Sequence, residues 1–177
     1  LQEEGERAIV ICSPKIREQW EQVLDDYNVN AKIISRSYDK IAEIISDDRM
    51  MQRQVILIDE AHHFRNPETI SYKDLQIICE GKKVILVGAT PQNLKILDMY
   101  HQLKLFHPQE MTETLRIDPP ELKKFFDKAD EERKQLDADN KTDVPDRSEN
   151  LFQQLLVRRT RKNIIEEYGK ENLPDFP

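Results

Sequence analysis

The residues best suited to chemistry are two adjacent carboxylates, Asp59 and Glu60, followed two positions later by His62. They come directly after Val55–Ile58, a run of apolar residues that predicts a buried parallel strand. Open α/β sheets bind ligands at the carboxyl ends of their strands. A Glu in this place can orient and deprotonate an attacking water molecule. The pair therefore indicates a candidate catalytic site, although acidic residues also occur at strand ends that are simply solvated.

A second apolar strand, residues 84–87, runs into the small-residue turn Gly88-Ala89-Thr90-Pro91 and then into a helix start. Such a turn lets the backbone and the Thr90 hydroxyl lie close to a ligand at the sheet edge. The plainer interpretation is that Thr90 only caps the helix, since Ser and Thr are favoured caps.

These candidate residues need a scaffold, and the hydrophobic pattern supplies one. Strand and helix alternate four times with short links, which predicts an α/β fold with a parallel sheet and helices on both faces. The predicted strands are residues 8–12, 31–35, 55–58 and 83–87. The predicted helices lie within residues 16–27, 39–45, 72–79 and a segment that starts at Thr90-Pro91.

Composition limits the classes of function. The chain has 177 residues, of which 34% are charged, and a net charge of −7. That balance argues against a uniformly basic nucleic-acid binder but allows a local basic strip. No apolar run reaches the roughly 20 residues of a membrane helix, so no membrane partner is expected. Cys12 and Cys79 lie in apolar surroundings, which fits free thiols in a reducing cytoplasm.

Five segments, in order along the chain, resemble motifs of superfamily-two helicases and translocases, in particular their Swi/Snf-like bacterial branch. They are residues 9–14 with Gln19-Trp20 (motif Ia), 35–38 (a Ser/Thr-Tyr element), 59–62 (the DEAH box), 88–91 (motif III) and 156–162 (an Arg-Arg-Thr segment). Each motif alone is modest evidence, whereas five in one order across nearly the whole chain are specific.

The resemblance implies a partial first RecA-like motor domain of an ATP-dependent DNA translocase or helicase, with ATP and Mg²⁺ as cofactors. By this resemblance Asp59 would hold Mg²⁺ through water, and Glu60 would be the general base. His62 and Thr90 would link the γ-phosphate region to the DNA side of the domain.

The resemblance also implies contacts with the backbone of duplex DNA. The residues at the family's DNA-contact positions are Ser13, Pro14, Lys15, Ser35, Arg36 and Ser37. A positive strip would come from Arg158, Arg159, Arg161 and Lys162. Phosphate contacts of this kind give affinity without sequence specificity. The basic run has a second interpretation, as the solvated face of a helix that pairs with Glu166 and Glu167.

One expected element has no counterpart in the sequence. ATP needs a phosphate-binding loop of the form Gly-x-x-x-x-Gly-Lys-Ser/Thr, and the chain contains no such string. We expect that loop upstream of Leu1 and a second motor domain beyond Pro177, so that this chain alone hydrolyses no ATP at a useful rate. The predicted division is residues 1–108 as the partial motor domain, 109–150 as a charged helical insertion or flexible link, and 151–177 as a closing helix and linker.

Two rival functions remain open at this stage. One is a catalytically inactive scaffold that holds DNA or protein. The other is the motor subunit of a restriction system, with a nuclease as its partner. The interval between the first strand and the DEAH strand is short, which favours a cytoplasmic bacterial or phage-like translocase over the larger chromatin remodellers.

Overall fold

The computed structural model describes residues 7–88, 96–113, 115–138, 147, 148, 151 and 155. Its strands are β1 (Ala8–Cys12), β2 (Ala31–Ser35), β3 (Val55–Ile58) and β4 (Lys83–Leu86). Its helices are α1 (Arg17–Asp26), α2 (Tyr38–Ile45), α3 (Asp48–Met51), α4 (Ile70–Cys79), α5 (Ile96–Lys104) and α6 (Leu122–Ala138). Two short 3-10 turns span Pro14–Ile16 and Ala61–Phe64.

The four strands form one parallel sheet in the order β2-β1-β3-β4, which confirms the predicted α/β class. The register pairs Cys12 with Ser35 and Ile11 with Ile58, so the carboxyl ends of β1, β2 and β3 meet at one edge. From β1 the chain moves outward to β2, whereas from β3 it moves the opposite way to β4. The β1–β3 boundary is therefore a topological switch point, where open α/β sheets bind ligands.

The two faces of the sheet follow from the two-residue period of β1. Ile9 and Ile11 lie in a buried cluster with residues of α2, α3 and α4. Val10 and Cys12 lie in a cluster on the opposite face, against Trp20 and other residues of α1. The first face buries more Ile side chains than the second. Because each fully buried Ile contributes about 1.5–3 kcal/mol, the first face provides most of the apolar stabilisation of the sheet.

A separate buried cluster joins α5 to α6. Its members are apolar residues from both helices together with Leu151, namely Ile96, Tyr100, Leu103, Leu122, Phe125, Phe126, Ala129 and Leu151. The carboxylate of Glu110 ties the pair together. It accepts hydrogen bonds from the Tyr100 hydroxyl at 2.8 Å and the Lys123 backbone N–H at 3.2 Å, and Lys104 Nζ lies 3.0 Å from it.

The α5–α6 cluster takes residues from all three segments of the predicted domain division, which itself stays a prediction. Of the predicted insertion or link, residues 109–113, 115–138, 147 and 148 are described, and α6 lies within it. Both cysteines are free and buried, and burial raises the pKa of Cys79 to about 12. Among the described helices, none combines the length and apolarity needed to span a bilayer.

Candidate active site

The turn after β3 is fixed by backbone hydrogen bonds on both sides. The Asp59 N–H donates to the Ile11 carbonyl of β1 at 2.9 Å, which extends the β1–β3 ladder by one residue. On the β4 side, the Val87 N–H donates to the Ile58 carbonyl at 2.9 Å, and the Ala61 N–H donates to the Val87 carbonyl at 3.0 Å. The backbone that carries the two candidate carboxylates is therefore held on both sides at the switch point.

Glu60 turns the chain from the strand into the Ala61–Phe64 turn through a left-handed conformation, with φ 50° and ψ 49°. A residue with a Cβ in this region costs on the order of 1–2 kcal/mol relative to the right-handed region. Strain of this kind persists only where the surrounding structure enforces it, and such positions cluster at functional sites. This conformation could not be predicted from the sequence, because Gly or Asn is the usual residue there.

Asp59 is buried, and each of its carboxylate oxygens accepts one hydrogen bond. Oδ1 accepts from the Glu60 backbone N–H at 2.8 Å. Oδ2 accepts from the indole Nε1–H of Trp20 at 3.0 Å. A carboxylate can accept about four hydrogen bonds, so lone pairs remain for a further ligand.

Glu60 and His62 form a second, more exposed pair beside Asp59. His62 Nδ1 lies 3.0 Å from Glu60 Oε2, and the two side chains are 40% and 37% exposed. The contact engages Oε2 and leaves Oε1 open, without a hydrogen bond from any described residue. The His63 ring stacks at a tilt on His62, with ring centroids 4.3 Å apart. Burial, and next the charge of Arg36, lower the pKa of His63, so that this ring stays neutral at neutral pH.

The two segments predicted to contact DNA lie side by side at the same edge, after β1 and β2. Ser13 caps the first 3-10 turn, accepting from the Lys15 N–H at 3.4 Å, and both Pro14 and Lys15 are exposed. The Arg36 N–H donates to the Cys12 carbonyl at 2.9 Å, which continues the β1–β2 pairing. In the same loop, the Ser37 N–H donates to the Ser35 hydroxyl at 3.3 Å.

The geometry around Asp59 fits a magnesium ion better than a cage-bound metal. Among residues 7–88, 96–113 and 115–138, no group of three or more His, Cys, Asp or Glu side chains converges to hold a metal. Mg²⁺ commonly keeps several waters and uses one or two carboxylates together with substrate phosphates. A single oriented Asp59 suits that mode. Burial, and next the charge of Asp59, raise the pKa of the neighbouring Cys12 thiol.

The chain also matches a known protein family. Residues 4–175 match the family described as SNF2-related domain. The chain belongs to the SNF2-related domain family. This confirms the Swi/Snf-like assignment made from the five sequence motifs.

The fold of this SNF2-related domain is similar to that of the Sulfolobus solfataricus SWI2/SNF2 ATPase core, solved in complex with dsDNA. The TM-score is 0.56 at 18% sequence identity, and the match covers 88% of this chain and 34% of that one. The chain thus spans about a third of the length of that ATPase core, and at this identity the likeness concerns the fold. No protein of curated function matches the chain.

Among the predicted site residues of this SNF2-related domain, the structure brings Asp59, Glu60 and His62 together at the end of β3. It sets the segments Ser13–Lys15 and Ser35–Ser37 beside each other at the ends of β1 and β2. Their roles stay predictions. Thr90 and the basic residues Arg158, Arg159, Arg161 and Lys162 lie outside the described residues.

Trp20 is the site residue that the sequence did not reveal. The sequence favoured a core position for Trp20 over a platform for base stacking. Trp20 does pack on the α1 face of the sheet, but its N–H also reaches Asp59, 39 positions away in the sequence. The available signal was chemical, because the indole N–H is a donor that usually finds an acceptor when buried.

Proposed function

We propose that this chain supplies the metal-binding and water-activating part of an ATP-hydrolysis site that drives movement along duplex DNA. The observation that carries the proposal is the arrangement of Asp59 and Glu60 at the switch point of an SNF2-related fold. The two neighbouring acids differ in a way that suits two tasks. Asp59 is buried and oriented by two donors, whereas Glu60 is accessible and keeps one oxygen open.

In this proposal Asp59 would hold a water-coordinated Mg²⁺, which when bound would neutralise charge on the phosphates of ATP. Glu60 accepts the proton of the attacking water through its open oxygen. The contact from His62 limits the rotation of the Glu60 carboxylate and so directs that oxygen. The phosphate-binding loop and the second motor domain would lie in sequence outside this chain, and the chain alone would be inactive.

Duplex DNA is the proposed track, because the solved SWI2/SNF2 core of similar fold was bound to dsDNA. The exposed Lys15 and the neighbouring Arg36 lie at one edge of the sheet, where they would contact backbone phosphates. Their contribution would be local, because the net charge of the chain is −7. Such contacts hold DNA of any sequence.

The experiment that tests the catalytic proposal is DNA-stimulated ATP hydrolysis by the parent protein, wild type beside Glu60→Gln. We expect stimulation by duplex DNA in the wild type and a loss of about 10²–10⁴-fold in kcat in the variant, since general base catalysis contributes that much. His63→Gln is the matched control, with a near-normal rate. A wild type that binds DNA but hydrolyses no ATP would instead establish an inactive scaffold.

The DNA proposal has a separate test in Lys15→Ala. Loss of one phosphate contact should weaken duplex binding equally for all sequences and reduce the slope of log K against log salt by about 1. Fluorescence anisotropy at several salt concentrations measures that slope. Lys73→Ala, on α4, is the control with an unchanged slope. An unchanged slope in Lys15→Ala would remove this residue from the interface.

A further inference from the structure

Trp20 is the only tryptophan of the chain, and it occupies an unusual position. Its ring packs on the α1 face of the sheet against the cluster of Val10, Cys12 and Ile33. Its polar edge points past this cluster to the end of β3, where Nε1 lies 3.0 Å from Asp59 Oδ2. The side chain therefore links the packing of α1 to the orientation of one acid at the candidate site.

We propose that Trp20 is a positioning residue that holds the Asp59 carboxylate in the orientation required to bind Mg²⁺. This inference rests on the proposed function. The two donors to Asp59 act on different oxygens, the Glu60 N–H on Oδ1 and the indole on Oδ2. Rotation of the carboxylate would weaken both hydrogen bonds at once, so together they fix its plane.

The chemistry of an indole suits this task better than that of a cationic side chain. Its N–H is a donor only and carries no charge. It can therefore orient the carboxylate without neutralising it, so the full negative charge remains available to a cation. A Lys or Arg in the same place would form an ion pair and repel Mg²⁺. The bulk of the ring, held on the sheet, also limits the freedom of the donor.

The hydrogen bond can be observed directly by NMR, because a single tryptophan gives a single indole N–H signal. In the whole chain, Asp59→Ala should move this signal to the position of an unbonded indole. Added Mn²⁺, used as a paramagnetic probe for the Mg²⁺ site, should broaden both the indole signal and the Glu60 amide signal. An indole signal that Asp59→Ala leaves in place would overturn the proposal.

The energetic part of the inference is tested by Trp20→Phe, which keeps an aromatic ring on the sheet and removes the donor. Half-broadening of the Glu60 amide should require about three- to tenfold more Mn²⁺ than in the wild type, the effect expected for one hydrogen bond. Leu24→Val, in the same apolar cluster, controls for packing and should leave the midpoint unchanged.

The outcomes separate the two proposals. If Trp20→Phe binds Mn²⁺ as well as the wild type does, Trp20 has no positioning role, and the metal role of Asp59 stands. If Leu24→Val weakens Mn²⁺ binding as much as Trp20→Phe, packing rather than the donor is responsible, and the inference fails. If Mn²⁺ broadens neither signal in the wild type, Asp59 does not bind the metal without ATP phosphates and the inference fails, whereas the proposed function is decided by the ATP-hydrolysis assay.

Discussion

Two regions of this SNF2-related domain use acidic side chains in opposite ways. In the α5–α6 pair, the Glu110 carboxylate accepts hydrogen bonds from the Tyr100 hydroxyl and the Lys123 backbone N–H, and it pairs with Lys104. Tyr100 and Lys104 belong to α5, and Lys123 belongs to α6. In the turn after β3, Asp59 keeps acceptor capacity and Glu60 keeps one open oxygen in a left-handed backbone. The contacts of Glu110 stabilise the α5–α6 pair. In the turn after β3, Asp59 and Glu60 keep oxygens available for chemistry, and the backbone at Glu60 is strained.

The comparison teaches that burial alone does not identify a functional acid. Asp59 is buried and Glu60 is partly exposed, yet both lie at the switch point with unused acceptor sites. What separates this turn from Glu110 is backbone strain together with fewer donors to each carboxylate, two at Asp59 and one at Glu60 against three at Glu110. Variants in the two regions should therefore divide into those that change stability and those that change activity.

The largest effect on stability is expected from Phe126→Ala in the α5–α6 cluster. Phe126 is fully buried, with its ring centroid 5.5 Å from that of Tyr100 and 5.6 Å from that of Phe125. The lost contacts and the cavity should lower the free energy of unfolding by about 3–5 kcal/mol, measured by urea denaturation. Phe126→Leu should cost less. A loss below about 1 kcal/mol would mean that this cluster is not the packing unit described here.

A smaller effect, which raises stability rather than lowering it, is expected from a substitution at Glu60. Glu60→Gly relieves the left-handed strain of about 1–2 kcal/mol but gains flexibility in the unfolded chain worth about 0.5–1 kcal/mol. Stability should therefore stay level or rise by up to about 1.5 kcal/mol, while ATP hydrolysis by the parent protein is lost. Glu60→Ala is the control, because alanine keeps the strain. Thermal unfolding in which the Gly variant is less stable than the Ala variant would argue against a strained turn.

The smallest effect depends on pH and concerns Glu110. Burial raises its pKa, but the hydrogen bonds from Lys104 and Tyr100 outweigh this and leave the pKa below the ordinary value of 4.5. Its contribution to stability is therefore complete above about pH 4.5 and is lost as the pH falls through the lower pKa of the folded state. Glu110→Gln should flatten the dependence of Tm on pH in that acidic range. Glu113→Gln, at an exposed acid nearby, should leave the curve unchanged, and an unaltered curve in Glu110→Gln would refute the role of this carboxylate.

The sequence predicted the sheet well because the strands are short apolar runs bounded by polar residues. Three strands have the predicted bounds, and β4 ends one residue early, at Leu86. Helix α3 was missed, since four residues are too few for a helical period to appear. Asp47 accepts from two backbone N–H groups there, and a search for N-caps could have found it.

The candidate site was predicted in part. Asp59, Glu60 and His62 are adjacent in sequence, so their proximity followed from the strand prediction. The left-handed Glu60 and the Trp20–Asp59 hydrogen bond did not follow. The first is enforced by strand pairing on both sides of the turn, and the second joins residues from separate elements. Neither local propensity nor periodicity carries information of that kind.

The most direct test of the account is the Mg²⁺ dependence of DNA-stimulated ATP hydrolysis by the parent protein, compared among wild type, Asp59→Asn and Glu60→Gln. Because Asp59 is assigned to the metal and Glu60 to the water, the two variants should fail differently. Asp59→Asn should need a higher Mg²⁺ concentration for half-maximal rate, and Glu60→Gln should remain slow at every Mg²⁺ concentration. Wild-type rates and Mg²⁺ midpoints in both variants would contradict the assignment of this site.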